Sequence, residues 1–379
     1  MKAISRTSWF AVALTAPAWG LDVTAVNPSD FARPAETIEV RAGDLAAVGE
    51  VDFLKLHVKD ANGAEVLCQA VDNDGDALKK PDALIFQADF AAGETKRFTI
   101  GKGAKQVFKK EQFKAFGRFN RERFDDFVWE NDKIAHRTYG KALETWKGEP
   151  LTSSTIDIWS KRTPRMVVND WYLADDYHAD HGEGADFYSA GPSRGCGGSG
   201  MWAGERLWVS KNFVHSKVLT NGPIRVMFEL EYEPYDVDGT AVTEVKRVSL
   251  DAGSQFDFYQ VFRKPASPAA TAIGLKKAAG EKLESGDGWL AKWEPMEKKA
   301  GNQGLAIIVK PGDFQKQAED KLNHLVILKP AADTASSWWS GFCWDKAGEI
   351  TTAEAWTKHV ADTAKKLAAP IRVTIVPEK

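Results

Sequence analysis

Two stretches of the sequence are rich in side chains that can transfer protons or bind charged ligands. The first is the run 125–140, DDFVWENDKIAHRTYG, and the second is the run 175–202, DDYHADHGEGADFYSAGPSRGCGGSGMW. In the second stretch His178 and His181 stand three residues apart, and Glu183 follows closely. Histidine, tyrosine and carboxylate side chains are the usual groups for proton transfer in enzymes. The sequence therefore predicts a functional site built from these two stretches.

The residue types fit proton abstraction next to a carboxylate, the first step of an elimination. Such a reaction needs a cation or amide for the substrate carboxylate, a base for the proton beside it and an acid for the leaving oxygen. We assign the base to His178, with His181 and His136 as alternatives. The acid is Tyr188, with Tyr139 as its alternative. The side chains predicted to bind the substrate are Arg137, Asn131, Glu130, Arg194, Trp129, Trp202 and Trp339.

Three other activities use the same residue types and stay open. A glycoside hydrolase needs two opposed carboxylates. The carboxylates available for such a pair are Glu130, Asp132, Glu183 and Asp186. A sugar mutarotase or epimerase needs one acid and one base, for which His178 and Glu130 would suffice. A non-catalytic carbohydrate-binding protein would depend on its tryptophans but not on its histidines and arginines.

A divalent metal is a further alternative, and no other cofactor is predicted. His178, His181 and Glu183 are residue types that bind zinc, although their spacing alone is a weak signal. The run 72–76, DNDGD, resembles half of a calcium-binding loop. It lacks the later glutamate and its glycine is misplaced, so a plain turn is predicted there.

Runs that alternate apolar and polar residues predict β-strands along most of the chain. Those within 21–102 indicate a small N-terminal β-sandwich. Longer runs across 103–379 indicate a larger antiparallel sandwich that carries the catalytic residues. One helix is predicted, from a capping box at Thr351 and Glu354 to the residue before Pro370. The predicted fold class is therefore mostly all-β, with one C-terminal helix.

The two polar stretches are expected to lie on different kinds of element. The run 126–139 is predicted as a single strand, in which Glu130 and His136 share one side and Arg137 lies on the other. Neither side is apolar throughout, which favours the lining of a polar cleft over the alternative of an exposed edge strand. The run 175–202 is predicted as one long loop, because it is rich in glycine and poor in apolar residues.

Composition excludes some classes of partner and indicates others. The chain has 379 residues and a net charge of −3, with acids and bases interspersed, so no basic surface for nucleic acid is predicted. Residues 1–20 have the basic start, apolar run and small final residues of a secretory signal peptide. No later stretch is apolar enough to span a membrane. We therefore expect a secreted protein, periplasmic or extracellular, and its 14 tryptophans favour a carbohydrate partner.

Several runs of the sequence together form a specific pattern. They are DDFVWENDKIAHRTYG, YHADHGEGADFYSAGPSRGCGG, NGPIRVMFELEY followed by EVKRVSLDAGS, and the closing SGFCWDKAGEITTAEAWTKHVADTAKKLAAPIRV. This pattern resembles a bacterial family catalogued as domain-of-unknown-function family 4861. The resemblance covers nearly the whole chain after residue 20, with slight departures at 179–181 and 193–194.

The resemblance implies a fold and a class of substrate. Members of the family are typically secreted and occur beside enzymes that dismantle pectin, ulvan and other uronate-containing glycans. The part from Val128 onward is also similar to the galactose-mutarotase-like super-sandwich, which mutarotases and several polysaccharide lyases share. It therefore implies a carbon–oxygen lyase acting on uronate oligosaccharides by elimination or dehydration, although a shared fold does not determine the chemistry.

Overall fold

The structure, a computed structural model, describes residues 20–45, 52–76, 81–148, 151–174, 176–265, 269–330 and 335–377. Most of these residues lie in antiparallel β-strands, so the predicted all-β class is confirmed. The predicted signal peptide lies outside the described residues except for Gly20. None of the described helices is long and apolar enough to cross a membrane.

The N-terminal residues form two small sheets that pack face to face. Their elements are β1 (Gly20–Val26), β2 (Arg33–Arg41), α1 (Ala42–Leu45), β3 (Leu56–Asp60), β4 (Glu65–Val66), β5 (Cys68–Val71), β6 (Ala83–Phe90) and β7 (Thr95–Lys102). Alternate residues of the strands point inward, as a two-layer sandwich requires. Leu21, Val23, Ile38, Phe86 and Phe98 form part of the shared core.

The larger part of the chain forms three sheets and two helices. Its first elements are β8 (Ala115–Asn120), β9 (Asp126–Asn131), β10 (Ala135–Thr138), β11 (Asp157–Lys161), α2 (Val168–Tyr172), β12 (Gly184–Ala185), β13 (Cys196–Ala203), β14 (Arg206–Trp208) and β15 (Phe213–Asn221). They are followed by β16 (Arg225–Val237), β17 (Thr240–Asp251), β18 (Phe256–Lys264), β19 (Ala270–Lys276), β20 (Lys282–Gly286), β21 (Trp289–Pro295) and β22 (Asn302–Ile308). The last are β23 (Phe314–Glu319), β24 (Asn323–Leu328), β25 (Ala335–Trp344), α3 (Ala353–Ala368) and β26 (Arg372–Pro377).

An eight-stranded sheet is the centre of this larger part. Its order is β15-β16-β17-β18-β25-β22-β21-β20. Two five-stranded sheets, β12-β11-β10-β9-β8 and β14-β13-β19-β24-β23, cover its inner face. Phe127 and Ile158 of the first, Ile273 of the second and Phe228 of the large sheet belong to one buried core. The architecture is therefore a large two-layer sandwich.

The predicted C-terminal helix is α3, and it covers the outer face of the eight-stranded sheet. Thr352 caps it, since its side chain accepts a hydrogen bond from the backbone N–H of Ala355. Trp356 and Val360 are fully buried against Ala306 and Ile308 of β22. The helix thus covers the part of this outer face formed by β21 and β22, whose strands are rich in buried apolar residues.

The predicted boundary between the two parts needs a correction at the C-terminus. The sequence assigns everything after 102 to the larger part, but β26 pairs with β1 of the N-terminal sandwich over six residues, from Leu21↔Pro377 to Val26↔Arg372. Strand β26 completes the sheet β26-β1-β7-β3-β4. The two ends of the chain are therefore joined in one sheet, a pairing that no local pattern encodes.

The two polar stretches also fold differently from the prediction. The run 126–139 is a hairpin, β9 and β10, with its turn at 132–134. The end of the run 175–202 is not a loop but the buried strand β13. Its glycines are needed because the neighbouring backbone is close: a Cβ on Gly198 would lie 2.5 Å from the carbonyl oxygen of Arg194. Close backbone packing, not loop flexibility, explains the composition of that segment.

Candidate active site

A cavity of about 210 Å³ opens on the face of sheet β8–β12 that points away from the sandwich core. Successive side chains of β9 alternate between the two faces, so Phe127 enters the core while Asp126 and Val128 face outward. The segment 162–187, which includes α2, covers the middle of this outer face through Val168 and Tyr177. The cavity remains open beside this cover and is lined by polar groups from both predicted stretches.

Arg137 is the central group of the cavity wall. Strand β10 places it beside β9 and β11, opposite Val128 and Asp157. Its Nε lies 2.8 Å from Asp157 Oδ2, its Nη2 lies 3.0 Å from Asp186 Oδ2, and its Nη1 lies 3.9 Å from Asp126 Oδ2. Burial alone would lower the pKa of Arg137, but the carboxylates of Asp186 and Asp157 outweigh it and raise that pKa. The Arg137 guanidinium is thus the shared counter-charge of three carboxyl groups.

Two of these acids bind protons more tightly than ordinary carboxylates do. Burial raises the pKa of Asp126 to about 7, against the opposing effect of Arg137. Burial also raises the pKa of Asp186, and neighbouring Asp157 and Asp126 add to the rise. Carboxylic acids that keep a proton near neutral pH are suited to general acid catalysis.

His178 stands at the mouth of the cavity, with its side chain 49% exposed. Its Nδ1 lies 2.9 Å from the carbonyl oxygen of Asp186 and 3.6 Å from Asp186 Oδ2. A carbonyl oxygen can only accept, so Nδ1 carries the hydrogen, and Nε2 on the other side of the ring keeps its lone pair. The arrangement is that of an oriented general base.

Three tyrosines line the cavity, and the hydroxyl of one of them, Tyr188, is itself buried. The hydroxyl of Tyr139 donates to Asp157 Oδ2 at 2.8 Å, and burial beside that carboxylate raises its pKa. The hydroxyl of Tyr177 contacts both Arg123 and Arg137. Burial raises the pKa of Tyr188, whose hydroxyl has no hydrogen-bond partner among the described residues. Tyr188 is therefore a protonated donor whose hydroxyl is not already used.

An aromatic wall and a second arginine complete the cavity. The rings of Phe124 and Trp146 pack with centroids 4.5 Å apart, and Trp146 remains 36% exposed. Arg123 lies against the rings of Phe124 and Tyr177, and forms no ion pair within the described part of the chain. This wall offers a flat apolar face beside a cation that has no carboxylate partner.

The turn that presents this wall is held in an unusual backbone conformation. Phe124 and Asp125 both adopt positive φ angles, 51° and 62°, which non-glycine residues rarely do. The turn packs on Gly140, where an added Cβ would lie 1.8 Å from the carbonyl oxygen of Asp125. Only glycine fits at 140, because the obstructing atom belongs to the backbone. Strain of this kind often accompanies a functional site.

Several residues that the sequence predicted for the site are buried elsewhere. His136 is in the core, stacked on Trp129 with ring centroids 5.0 Å apart, and its Nε2 lies 2.8 Å from Asp257 Oδ2. Trp129 is also fully buried and donates to Asp257 Oδ1. The assignments of His136 as a base and Trp129 as a sugar platform therefore need correction, because both lie on the core side of the sheet.

Three more predicted ligands have structural partners instead. Glu130 forms a fully buried ion pair with Lys161, 2.8 Å long, and Asn131 bonds to the backbone of the turn at 251–254. Arg194 is buried between the sheets and donates to Ser153 and Ser154. None of these lines the cavity. The sequence predicts that these polar residues line a cleft, but they are buried and hydrogen-bonded to partners within the protein.

The remaining predicted residues lie outside the cavity. Trp202 is half-buried on β13, against Leu207, and Trp339 packs on Phe258 of β18, with ring centroids 4.8 Å apart. His181 is exposed, and its Nε2 contacts the carbonyl oxygen of Asp176 at 3.1 Å. The predicted residues that the fold does bring together are His178, Arg137, Tyr188, the alternative acid Tyr139 and the alternative carboxylate Asp186.

The alternative metal site is not assembled. Glu183 is held by Arg165, and His178 is directed at Asp186, so the predicted ligands do not converge. Within the described ranges, the one group of three ligand atoms close enough to share an ion is Asp72, Asp74 and Asp82. Asp72 Oδ1 already accepts backbone N–H groups of Asp74 and Gly75, which makes it the turn that the sequence predicts.

Several important residues of the cavity were missed from the sequence. They are Arg123, Phe124, Asp126, Trp146, Asp157 and Tyr177. The run DDFVWENDK contains Asp126, but strand alternation gives no sign that it lies beside β11. The available signal was the presence of two charged residues, Asp157 and Lys161, in the short strand β11, because a buried charge requires a partner.

Replacing Asp126 with Asn should change how stability depends on pH. Wild-type Asp126 ionises near pH 4 when unfolded but near pH 7 when folded, so the folded protein loses stability as pH rises through this window. Asn cannot ionise, so the free energy of unfolding of the variant, relative to wild type, should rise by up to about 4 kcal/mol between pH 4 and 7. Urea unfolding at several pH values measures this, with exposed Asp287→Asn as the control. A difference that is flat with pH would contradict the raised pKa.

Fold and site together define a large all-β sandwich protein with a polar, aromatic-walled cavity on the outer face of one sheet. The chain belongs to the family whose model is described as Domain of unknown function (DUF4861), which matches residues 25–373. This confirms the resemblance found in its motifs. Uncharacterized protein P7 of Formosa agariphila is a relative that is 31% identical to this chain over 369 residues. The match covers 93% of each of the two chains.

One solved structure shares the fold at low identity, and a second is less similar. A protein in the Glycosyl Hydrolase Family 38 from Enterococcus faecalis matches with a TM-score of 0.55 and 10% identity, covering 94% of this chain and 47% of the other. An alpha-mannosidase from Enterococcus faecalis V583 matches with a TM-score of 0.46 and 8% identity, over 94% and 46%. The chain thus spans about half the length of these proteins, and the first likeness shows the fold alone.

Proposed function

We propose that the protein is a secreted carbohydrate-active enzyme that acts on uronic-acid-containing oligosaccharides by β-elimination or dehydration. One observation carries the proposal: His178, fixed by its Nδ1 with Nε2 left to accept a proton, stands in the same cavity as Arg123, a cation without a carboxylate partner in the described residues. A base beside a free cation suits a substrate whose acidic proton lies next to its own carboxylate.

Substrate binding would use the aromatic wall. The flat face of Trp146, supported by Phe124, can pack against the C–H face of a sugar ring. Arg123 would then pair with the sugar carboxylate through its planar guanidinium. Neutralising that carboxylate makes the C5 proton more acidic, because the carbanion formed on its removal is stabilised by the same cation.

Proton transfer would use two groups of the cavity. His178 Nε2 takes the C5 proton, while the contact of Nδ1 with Asp186 stabilises the imidazolium that forms. The C4–O bond then breaks, the electron pair of the former C5–H bond forms the C4–C5 double bond, and the leaving oxygen receives a proton. The unpartnered hydroxyl of Tyr188, kept protonated by its raised pKa, is the group we assign to this donation.

The comparisons support a carbohydrate substrate only at a coarse level. The solved protein with the shared fold is named for a glycosyl hydrolase family, and this chain covers about half of it. The name belongs to that protein, so it adds weight to a sugar ligand without choosing the reaction. The choice between elimination and other chemistry comes from the cavity.

Hydrolysis is the second candidate, favoured by one observation. Asp126 and Asp186 both line the cavity and both have raised pKa values, about 7 for Asp126. A protonated carboxyl group opposite an ionised one is the arrangement that glycoside hydrolases use. Asp186 is one of the carboxylates suggested by sequence, whereas Asp126 is not, and the suggested Glu130 and Glu183 are engaged in ion pairs.

A panel of uronate oligosaccharides separates the candidates. The full chain should generate the ultraviolet absorbance of a C4–C5 double bond, and Tyr188→Phe should abolish it while Asp126→Asn should retain it. If the full chain instead produces new reducing ends without that absorbance, and Asp126→Asn does not produce them, the reaction is hydrolysis and not elimination. If neither signal is produced from any member of the panel, the proposed enzyme activity is wrong. Adding a chelator should leave the rate unchanged, because the predicted metal ligands do not converge.

A further inference from the structure

A second group of charged side chains is enclosed between the two layers of the sandwich, on the core side and away from the cavity. It consists of Glu244 and Lys246 on β17, Arg263 on β18, and Arg194, which precedes β13 in the opposite layer. All four are buried, with between 2% and 5% of their surface exposed. Charged residues are almost never this buried unless their charges are matched.

The strand pattern explains why these groups meet. Even-numbered residues of β17 face inward, which aligns Glu244 and Lys246 with the apolar Val242 and Val248. Register places Glu244 opposite both Tyr232 of β16 and Arg263 of β18. Arg194 approaches from the other layer, where a Cβ on Gly274 of β19 would lie 2.7 Å from its Cβ. Apolar Met201, Val237 and Val242 form a buried cluster alongside.

The charges in this chamber do not balance. Glu244 Oε2 accepts from Arg263 Nε at 2.7 Å, and Glu244 Oε1 lies 3.2 Å from Lys246 Nζ. The guanidinium of Arg194 donates to the hydroxyls of Ser153 and Ser154 and to a carbonyl, all of them neutral acceptors. Three cations therefore face one carboxylate, since no other ion pair involves them in the described part of the chain.

Hydrogen-bond donors around the same chamber also lack acceptors. Lys246 Nζ has one acceptor, Glu244 Oε1, whereas among the described residues no hydrogen bond reaches Arg263 Nη2 or the hydroxyls of Tyr232, Ser199 and Thr155. Lys246 Nζ also lies over the Tyr232 ring, 4.4 Å from its centroid. Buried donors without acceptors each cost free energy, so their concentration at one place indicates a missing acceptor.

We propose that this chamber binds a small inorganic monoanion of halide size, held by Lys246, Arg263 and Arg194. Such an ion would reduce the unmatched charge and accept hydrogen bonds from the free donors at once. A small ion is favoured over a polyatomic one because the four charged side chains around it are almost fully buried. The site is separate from the cavity around Arg137, so it does not depend on the proposed reaction.

The pKa values of the cations agree with an excess of positive charge in the chamber. Burial lowers the pKa of Lys246 to about 8, and the charges of Arg194 and Arg263 lower it further against the effect of Glu244. Burial likewise lowers the pKa of Arg194 to about 10. A bound anion would reverse both effects. Water alone could satisfy the donors but could not balance the charge.

Thermal unfolding of the full chain in different sodium salts tests the site. The protein is dialysed into gluconate and then titrated with chloride or bromide at constant ionic strength. Binding to the folded state alone should raise the melting temperature saturably, by about 3 to 8 °C at high occupancy. The same melting temperature in gluconate, chloride and bromide would overturn the proposal and leave the chamber as a water-filled one.

Variants and diffraction locate the ion. Lys246→Met should lose the halide-dependent rise, whereas Lys282→Met, at an exposed position on β20, should keep it. Because Lys246→Met changes a buried group and could fail to fold, crystals of the unaltered chain in bromide supply an independent reading. An anomalous bromine peak beside Lys246 Nζ and Arg263 Nη2 supports the assignment. Bromide found only at the surface, or none at all, overturns it.

Discussion

Replacing His178 with Gln is expected to lower kcat/KM for uronate elimination by about 10²- to 10⁴-fold, the usual contribution of a general base. The amide cannot take a proton, although its nitrogen can still donate to the carbonyl oxygen of Asp186. The side chain is half-exposed, so the melting temperature should change little. Steady-state rates of double-bond formation measure the loss.

His181→Gln is the matched control for this experiment. It lies in the same segment, is exposed, and contacts one backbone carbonyl group, that of Asp176. The control should keep nearly all the activity. If His181→Gln lost activity while His178→Gln kept it, the base assigned here would be the wrong one. Equal, small losses in both would remove histidine from the chemistry and leave binding or hydrolysis.

Replacing Arg137 with Met is expected to destabilise the protein by about 3 to 5 kcal/mol, because it leaves Asp157 and Asp186 buried without their counter-charge. The free energy of unfolding in urea measures this. Without the guanidinium the pKa of Asp186 in the folded protein rises further above its unfolded value. The loss should therefore be largest near neutral pH and shrink as the pH falls and the carboxyl groups are protonated.

Arg165→Met provides the comparison at the surface. Arg165 also pairs with two carboxylates, those of Glu183 and Asp170, but its side chain is 48% exposed. Solvent screens such pairs, and their loss typically costs below about 1 kcal/mol. If Arg137→Met cost no more than Arg165→Met, the three acids around Arg137 would not depend on it, and the cavity would need a different electrostatic account.

The candidate site was predictable in part. The run 175–202 was recognised because it combines histidine, tyrosine and acid with a length that simple turns do not need, and His178 and Tyr188 do line the cavity. The run 126–139 was recognised for its polarity but assigned to the wrong faces. Polar residues in a strand look alike whether they line a cleft, as Arg137 does, or pair inside the core, as Glu130 does with Lys161.

Local sequence determined the elements of this protein. Alternation of apolar and polar residues is sufficient for strands, and long motifs identify the family. Helical periodicity locates α3, although its cap is Thr352 and not the predicted Thr351. These signals are short-range, because each depends on neighbours within one strand or one helical turn. They placed the chain in the all-β class without any knowledge of its contacts.

Only the tertiary structure decided which residues form the site. Asp126, Arg137, Asp157 and Asp186 come from β9, β10, β11 and the following segment, and Trp146 comes from a separate connection. Strand order and register bring them together, as they bring β26 to β1 across the whole length of the chain. Pairing between distant strands depends on the collective burial of the sheets, not on any local pattern, which is why the sequence could name the chemical groups but not their neighbours.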